Sequence, residues 1–523
     1  MICLIQNVED YNNDLRVILM AFYMGVKIIT PENIEKKPEL GADITATLVA
    51  EFAEDQTKIW MKDGGLDVEP DIVIDQDYHD RKVFRNILPL PLQSSPNVLR
   101  SDFPMEEPFR FFLTASGTWH ASEYYGIPFC HDSPDRSRYP VKIAMEAVER
   151  GCTDEEIRKL YQETYVASLE KADACVKIAR REKAIIETID ERNEYCLYIG
   201  IPFCPTRCLY CSFTSYPIGV YKDKVDAYLD TMEKEMEYVA ASYTEKKLVS
   251  IYIGGGTPSS ISAEQMDRLC SMIEKHFDLS QVREYTIEAG RPDSTTADKL
   301  QVMKAHGVGR ISINPQTMNG ETLKLIGRAH TPEQAEEAFK RAREAGFDNI
   351  NMDLIVGLPG EDAEMVKRTL EKVKKLAPES LTVHTLAIKR AAHLKQEMDK
   401  YSFAGDVDEQ LSLVGQAAEE LGLAPYYLYR QKNMAGNLEN VGYARHGLEC
   451  LYNILIMEER TDIIGIGAGS SSKLIRREGD SDPVTGEMIT GTRIDRVENC
   501  KSVDDYIARI DEMIDRKKQA FAK

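Results

Sequence analysis

The sequence contains no hydrophobic run that is long enough to cross a membrane. Its most apolar early stretch, residues 17–26, is about ten residues long, roughly half of what a membrane-spanning helix needs. The opening segment MICLIQNVED carries acidic residues where a secretory signal would carry basic ones. We therefore expect a soluble, cytoplasmic protein without a membrane span.

An excess of positive charge is also missing. The chain has 65 Lys and Arg residues against 86 Asp and Glu residues, a net charge of −21, and no basic tract that would follow a phosphate backbone. Nucleic acid is therefore not an expected partner. With 43% hydrophobic residues over 523 positions, the chain is long enough to bury the cores of several domains.

The chain lacks the compact cysteine framework that staples small secreted proteins. Its 11 cysteines are an odd number and are scattered from Cys3 to Cys500, which favours a reducing compartment. The exception is a group of three, Cys204, Cys208 and Cys211, spaced C-x3-C-x2-C. Three thiolates so close together indicate a metal or iron–sulfur site.

This group lies in the second of two copies of the pentapeptide GIPFC. In the first copy, which ends at Cys130, the positions of the other two cysteines hold Pro134 and Ser137. We therefore expect Cys130 and its neighbour His131 to be structural residues rather than ligands.

The residue pattern divides the chain into four segments. Residues 1–75 mix short β-rich runs with one amphipathic stretch and predict a small α+β module of unassigned role. Residues 76–190 contain a linker punctuated by Pro and Ser, followed by a mainly helical region. Helical spacing from Thr153 onward predicts one helix of over about thirty residues.

Residues 191–390 alternate between β-rich runs and helical stretches. Six β-then-α units in series predict an α/β domain with a parallel sheet, either open or rolled into a partial barrel. The β-rich runs are YCLYIGI, VSIYIGG, REYTIEA, GRISINP, NINMDLI and SLTVHTL. In either form, the ligand site lies at the C-terminal ends of the strands.

The cysteine spacing by itself leaves three readings open. Structural zinc normally needs four ligands, and the next histidine after the group is His276. A cubane cluster normally takes four thiolates, so three cysteines leave one iron open for a substrate or cofactor. Chance clustering is the third reading, and the cluster with an open iron is the one we favour.

The motif YIGIPFCPTRCLYC, which begins at Tyr198, resembles a known signature. It is similar to the Y-x-H-I-P-F-C-x3-C-x2-C motif of radical S-adenosylmethionine (SAM) enzymes of the oxygen-independent coproporphyrinogen dehydrogenase group, over about residues 195–475. The long N-terminal region and the text YYLYRQKNMAGN resemble the HemZ branch of that group. The resemblance implies a partial (β/α)6 barrel over residues 191–390 and a small α+β C-terminal domain with a terminal helix over 391–523.

The resemblance also implies two cofactors, a [4Fe-4S] cluster held by Cys204, Cys208 and Cys211, and SAM on its open iron. It places ten residues around SAM: Tyr198, Tyr210, Gly255, Gly256, Thr257, Glu288, Gln316, Arg328, Asp353 and Ala387. Read without the resemblance, the GGGTP segment is a tight turn and Glu288 is a solvated acid at the rim of the sheet.

The activity that the resemblance implies is oxidative decarboxylation of the propionates of coproporphyrinogen III to vinyl groups in haem biosynthesis. A reducing donor such as flavodoxin or ferredoxin would be needed. A substrate with several carboxylates also needs local positive charge in this acidic chain. Candidate substrate contacts are Lys389, Arg390, Arg430 and Lys432, although each alone could be solvated surface charge.

Two departures from the family pattern bear on activity. Phe213 stands where the decarboxylating members have a fourth cysteine, and Gly200 stands where they have histidine. Tyr198 and Tyr210 are the nearest polar residues that could assist catalysis instead. The alternatives are a haem-binding chaperone, whose H-N-x-x-Y-W motif reads ENVGYA from Glu439 here, and a methyltransferase or ring-opening enzyme acting on a tetrapyrrole.

Overall fold

The chain is described by a computed structural model over a set of separate segments. These are residues 2–6, 28–31, 34, 46–52, 57–62, 72–74, 111–113, 119–121, 140–165, 167–211, 215–387, 406–430, 439–482 and 486–521. Within these segments, no helix combines the length and the apolar character that crossing a membrane requires.

The chain divides into two compact units. The first has its own mixed sheet, in which some neighbouring strands pair parallel and others antiparallel. This unit comprises Met1–Arg138 and Cys152–Asp173. Its main sheet has the strand order β2-β1-β3-β4-β5. The strands are β1 (Ile2–Gln6), β2 (Ile28–Ile29), β3 (Ala46–Phe52), β4 (Thr57–Lys62) and β5 (Ile72–Ile74). A separate antiparallel pair is formed by β6 (Phe111–Leu113) and β7 (Trp119–Ala121).

The single long helix predicted from Thr153 is wrong, because the structure has two helices there, Asp154–Tyr165 and Leu169–Ile186. Ser168 begins the second helix: its side chain accepts a hydrogen bond from the Lys171 N–H at 3.2 Å. A serine that caps the helix in this way adopts extended backbone and ends the preceding helix. The hydrophobic spacing continues across the break, so periodicity alone does not reveal it.

The second unit, Tyr139–Gly151 with Ala174–Lys523, is built on six parallel strands. Each pairs with the next along the chain, in the order β8-β11-β12-β13-β14-β15. The strands introduced here are β8 (Glu194–Ile201), β9 (Phe203–Cys204), β10 (Tyr216–Pro217), β11 (Lys247–Gly255), β12 (Glu284–Gly290), β13 (Arg310–Gln316), β14 (Ile350–Val356) and β15 (Ser380–Thr385). The six predicted β-rich runs are thus confirmed as strands.

Helices follow the parallel strands and cover the outer face of the sheet with apolar side chains. Two of them begin with a capping box, in which Ser262 and Gln265, or Thr331 and Gln334, exchange side-chain and backbone hydrogen bonds. The helices of this part are Pro140–Glu149, Ile218–Tyr221, Val225–Ser242, Ala263–His276, Ala297–Ala305, Gly320–Leu325, Pro332–Glu344, Ala363–Leu376 and Val407–Glu420, with 3-10 turns at Lys222–Lys224, Pro258–Ser260 and Pro292–Ser294.

The C-terminal strands extend the same sheet at both edges. At one edge β17 (Asn440–Ala444) pairs antiparallel with β15, and β16 (Ala424–Tyr429) pairs with β17. At the other, β18 (Asp462–Ile466) runs parallel to β8, followed by β19 (Ser471–Arg476) and β20 (Arg493–Glu498). The helices are Leu451–Glu458, Val503–Ala508 and Ile510–Phe521. The predicted α/β class with a partial barrel is confirmed, and among the described residues the sheet has eleven strands, from β16 at one edge to β20 at the other.

The terminal helix is attached to this sheet through a buried ion pair. The Lys517 ammonium lies 2.7 Å from the Glu235 carboxylate, and neither side chain is exposed. Glu235 also accepts hydrogen bonds from the Gly467 N–H at 2.9 Å and the Asn499 side chain at 2.8 Å. Because every oxygen of this buried carboxylate is paired, its burial is tolerated, and the turn after β18 is held in place.

Candidate active site

The three cysteines of the C-x3-C-x2-C group lie on the loop that follows β8, at the carboxyl edge of the parallel sheet. Cys204 belongs to the short strand β9. Cys204 and Cys208 are buried, and Cys211 is half-buried. The loop therefore presents its thiols where the strand ends of the barrel meet, as the sequence predicts.

Backbone hydrogen bonds from two other elements hold this loop. The Thr257 N–H, just past β11, donates to the Phe203 carbonyl at 2.7 Å. The Leu209 N–H donates to the Ile326 carbonyl at 2.9 Å, after the helix that follows β13. The loop is thus held at two points by elements that follow β11 and β13.

The GGGTP segment after β11 packs against the cysteine loop closely enough to need glycine. A Cβ atom on Gly256 would lie 2.6 Å from the Phe203 carbonyl oxygen and 3.0 Å from the Cys204 sulfur. Gly255 has φ of +115°, which L side chains rarely adopt. The segment is therefore a tight turn and also the wall of the cysteine site. Beside it, the Thr257 hydroxyl donates to the Cys204 sulfur at 3.4 Å.

Polar and aromatic groups surround the thiols. Burial raises the pKa of Cys204 to about 11, although the Thr257 hydrogen bond opposes this rise. The Arg328 guanidinium donates to the Cys208 sulfur at 3.8 Å. Burial also raises the pKa of Tyr210, whose ring lies beside Cys208. A thiolate at Cys204 or at Cys208 would therefore accept a hydrogen bond from a neighbouring side chain.

The three thiols of the loop are the kind of ligand that an iron–sulfur cluster takes. In the described part of the chain, no three His, Cys, Asp or Glu side chains come close enough together to hold one ion. A cubane does not need them to, because each of its irons takes its own thiolate. The glycine turn lets the backbone at Gly256 approach the Cys204 sulfur, where a Cβ atom would lie 3.0 Å from it.

Arg291 fastens the loop from the end of β12. Its guanidinium is buried and forms a two-point ion pair with Asp293, with distances of 2.9 and 2.7 Å. The remaining nitrogen donates to the Thr206 hydroxyl at 2.6 Å and to the Thr206 carbonyl at 3.2 Å. Because Thr206 lies between Cys204 and Cys208, this contact fixes the backbone that separates the two thiols.

Glu288, on β12, lies beside three stacked tyrosine rings in the barrel interior. The Tyr252 hydroxyl donates to the Glu288 carboxylate at 2.5 Å. The Tyr252 ring stacks on Tyr452 at 4.6 Å between centroids and on Tyr198 at 6.3 Å. Burial raises the pKa of Glu288 to about 7, so that the group changes charge near neutral pH.

Asp353, on β14, is oriented by a second polar network. The Asn351 amide donates to the Asp353 carboxylate at 2.6 Å and to the Ser312 hydroxyl at 3.3 Å. Thr382 in turn donates to the Asn351 side-chain oxygen at 3.1 Å. The His384 ring lies 3.9 Å from the other Asp353 oxygen. Strands β13, β14 and β15 thus point polar side chains into the barrel, where a purely structural core would be apolar.

Two further predicted residues, Gln316 and Arg328, lie at the same edge. Gln316 ends β13 with φ of +69°, a strained conformation for a residue other than glycine, and such strain concentrates at functional sites. The Arg328 guanidinium is buried and also donates to the Asn314 carbonyl. Its Nε has no hydrogen-bond partner among the described residues. Ala387 follows the end of β15 and is half-buried.

Comparison with known proteins identifies the family. Residues 198–373 match the model of the radical SAM superfamily. The chain is 44% identical to the Bacillus subtilis "oxygen-independent coproporphyrinogen-III oxidase-like protein HemZ" over 65% of this chain and 69% of that protein. The chain belongs to the family of coproporphyrinogen oxidase-like radical SAM proteins.

Other members of this radical SAM family are also similar. The Lactococcus lactis "heme chaperone HemW" is 33% identical over 53% of this chain and 69% of that protein. The Salmonella typhimurium "oxygen-independent coproporphyrinogen III oxidase" is 28% identical over 53% of this chain and 61% of that protein. The solved Escherichia coli coproporphyrinogen III oxidase (HemN) covers 64% of this chain and 73% of its own, at 22% identity and a TM-score of 0.48.

Several residues that the sequence analysis singles out lie outside the described residues. They are Phe213, the substrate candidates Lys389, Arg390 and Lys432, and the first GIPFC copy with His131. Arg430 is described, and its guanidinium donates to the Glu439 carboxylate at 3.0 Å within a buried pair. The ten predicted SAM contacts all lie in described segments, at or near the carboxyl ends of the barrel strands.

Sequence reasoning missed three residues of this radical SAM site. Arg291, Tyr252 and Tyr452 are not singled out by any motif. Tyr252 could have been found, because it lies on the same face of β11 as Gly254, two residues before the glycine turn. Arg291 and Tyr452 reach the site only through the folded arrangement of distant segments.

Proposed function

We propose that this protein is an oxygen-independent coproporphyrinogen III dehydrogenase, which converts propionate side chains of the reduced tetrapyrrole to vinyl groups. The single observation that carries the proposal is the 44% identity to a relative named for coproporphyrinogen oxidase. The cysteine loop and the polar barrel interior support it. The decarboxylation itself is our inference.

In this proposal, Cys204, Cys208 and Cys211 hold a [4Fe-4S] cluster, and SAM occupies the barrel mouth beside it. When bound, these two cofactors supply the one-electron cleavage of SAM that starts removal of hydrogen from the substrate. The chain supplies orientation and a site with little water. Glu288, at the end of β12, is placed to accept hydrogen bonds from the ribose hydroxyls of SAM.

We propose that the Arg328 guanidinium binds the carboxylate of SAM. Its buried guanidinium touches the Cys208 sulfur, so it lies on the boundary between cluster and cofactor. Its Nε remains without a described partner, and a guanidinium favours two-point contact with a carboxylate. The strained backbone of Gln316 and the fixed carboxylate of Asp353 would complete the polar rim around SAM.

Tyr198 and Tyr210 are proposed to assist the substrate step in place of the cysteine that Phe213 replaces. Tyr198 lies in the ring stack of the barrel interior, and Tyr210 lies beside Cys208. Both phenols have a raised pKa because they are buried, so they stay protonated at neutral pH and can donate a hydrogen bond. Either could hold a substrate carboxylate or return a proton.

The tetrapyrrole is proposed to meet positive charge at the C-terminal side of the barrel. Lys389, Arg390 and Lys432 are the candidates, together with Arg430. Because the Arg430 guanidinium is buried against Glu439, a substrate carboxylate would have to compete with that ion pair. We further propose a cytoplasmic location and a low-potential donor such as flavodoxin or ferredoxin.

A haem chaperone is the second candidate, because relatives of that name are 33% identical. The position that carries histidine in the chaperone motif is Glu439 here. Its carboxylate accepts hydrogen bonds from Arg430 and is buried. A carboxylate committed to an ion pair is a poorer haem ligand than imidazole, which favours the dehydrogenase.

The test compares the two candidates on one anaerobic preparation with a reconstituted cluster. Incubated with SAM, a reductant, an electron acceptor and coproporphyrinogen III, the protein should yield vinyl-bearing products that mass spectrometry identifies by the loss of one CO2 and two hydrogen atoms per propionate. A parallel titration with haem should show no stoichiometric binding. Tight haem binding with coproporphyrinogen returned unchanged would establish the chaperone instead.

A further inference from the structure

The Tyr252 hydroxyl contacts a carboxylate that the proposed function assigns to SAM. Tyr252 lies on β11, and its hydroxyl donates to the Glu288 Oε1 at 2.5 Å across the adjacent strand β12. Both residues are partly buried. A hydrogen bond from a phenol to a carboxylate is strong when solvent is limited, and it fixes the rotamer of the acceptor.

The neighbours of Tyr252 hold its ring, so that the hydroxyl cannot easily turn away. Its ring stacks on Tyr452 at 4.6 Å and an interplanar angle of 21°, and on Tyr198 at 6.3 Å and 14°. Tyr452 is the second residue of the helix Leu451–Glu458, and the Glu284 carboxylate accepts hydrogen bonds from the Leu451 N–H at 2.6 Å and the Tyr452 N–H at 3.2 Å. The stack is thus anchored by a helix outside the sheet. The Tyr252 hydroxyl contacts Glu288 on the neighbouring strand β12.

We propose that Tyr252 is a positioning residue that aims Glu288 at the ribose of SAM through its hydrogen bond to the carboxylate. This inference rests on the assignment of Glu288 to SAM under the proposed function. It concerns SAM binding alone and holds whichever tetrapyrrole reaction follows.

The charged surroundings of Glu288 make this role necessary. Asp353 on β14 raises the pKa of Glu288 as a like charge, whereas His384 on β15 and Arg310 on β13 act in the opposite direction. The phenols of Tyr198 and Tyr452 lie beside it as neutral groups. Burial is the largest effect and raises the pKa of Glu288 to about 7, whereas the Tyr252 hydrogen bond lowers it.

The sign of the effect follows directly. Without the Tyr252 hydroxyl, the charged form of Glu288 loses stabilisation and its pKa rises further above 7. A larger fraction of the protein then carries protonated Glu288 at neutral pH. The protonated group accepts hydrogen bonds from the ribose hydroxyls less well than the carboxylate does. Raising the pH restores the carboxylate, so the defect should disappear in alkaline solution.

The experiment measures the dissociation constant of SAM on the reconstituted protein with an oxidised cluster, so that SAM is bound but not cleaved. Tyr252→Phe keeps the ring and the stack and removes only the hydroxyl. Tyr285→Phe is the matched control, because it removes a buried hydroxyl from the face of β12 opposite Glu288 and leaves the hydrogen bond from Tyr252 to Glu288 in place. Iron per chain and the melting temperature confirm that both variants are folded and loaded.

We expect Tyr252→Phe to bind SAM about tenfold more weakly than the parent at pH 7 and about equally at pH 9, since a hydrogen bond to a charged group shifts a pKa by about one to two units. Tyr285→Phe should match the parent at both pH values. In a Glu288→Gln background, Tyr252→Phe should have no pH-dependent effect. An equal loss at both pH values, or no loss at either, would overturn the proposal.

Failure of this test can be told apart from failure of the proposed function. If the parent protein does not bind SAM at all, the assignment of Glu288 is wrong and Tyr252 has nothing to position. If the parent binds SAM and cleaves it without converting a tetrapyrrole, the substrate assignment is wrong while the role of Tyr252 can still be measured. A pH-independent defect in Tyr252→Phe rejects the positioning role alone.

Discussion

Replacing Cys208 by alanine should abolish the iron–sulfur cluster. The parent chain should bind about four iron atoms after anaerobic reconstitution, and the variant should fall to background, because a cubane with two protein thiolates is not retained. The Cys208 sulfur is buried and accepts a hydrogen bond from the Arg328 guanidinium at 3.8 Å. Iron analysis and the visible absorption of the cluster measure the effect.

Two other cysteines provide the controls. Cys196→Ala alters a buried thiol on β8 that contacts Thr461 at 3.8 Å, and it should keep the cluster. Cys130→Ala alters the first GIPFC copy, which lacks the two partner cysteines, and should keep it too. If Cys130→Ala loses the iron while Cys208→Ala retains it, the assignment of the site to the second copy is wrong.

Replacing Gly256 by alanine should disrupt the cysteine site without touching a cysteine. The new methyl group would sit 2.6 Å from the Phe203 carbonyl and 2.9 Å from the Pro202 carbonyl carbon, both backbone atoms that cannot rotate away. Overpacking of this kind costs about 1–3 kcal/mol of folding free energy. We expect a lower melting temperature and a cluster that is lost quickly to an iron chelator.

Gly219→Ala is the matched control for this variant. Gly219 lies shortly after the cysteine loop, and a Cβ atom there would meet nothing within 4 Å. Iron retention and melting temperature should stay at the parent values. A Gly256→Ala protein that holds iron as long as Gly219→Ala would mean that the glycine turn does not shape the site.

The strands and helices of the barrel could be predicted from the sequence, because each has its own local residue pattern. Each β-rich run, such as SLTVHTL, which ends at Leu386, has its own apolar pattern, and six repeats of strand and helix leave few arrangements of the sheet. The cysteine spacing and the GGGTP turn were also visible, since each motif is contiguous. Their placement at one edge follows from the parallel topology.

The contacts around the site were not predictable, because they join segments that are far apart in sequence. The hydrogen bond from Arg291 to Thr206 spans 85 positions, and the stacking of Tyr452 on Tyr252 joins a C-terminal helix to the second barrel strand. The helix that was predicted from Thr153 failed for a different reason. A cap at Ser168 overrides a hydrophobic period that continues across it.

The pairing of Arg430 with Glu439 shows a further limit of sequence reasoning. From the sequence, Arg430 is a free cation available to a carboxylate, and the structure instead buries it in an ion pair. Lone charged residues cannot be assigned to a substrate before their partners are known. The assignment of Arg430 as a substrate contact therefore stays a prediction.

The most direct test of the central claim follows hydrogen from the substrate to SAM. Coproporphyrinogen III that carries deuterium on its propionate side chains is incubated anaerobically with the reconstituted protein, SAM and a reductant, and 5′-deoxyadenosine and CO2 are measured together. We expect deuterium in the 5′-deoxyadenosine and CO2 that rises in step with it. Unlabelled 5′-deoxyadenosine formed without CO2 would contradict the account.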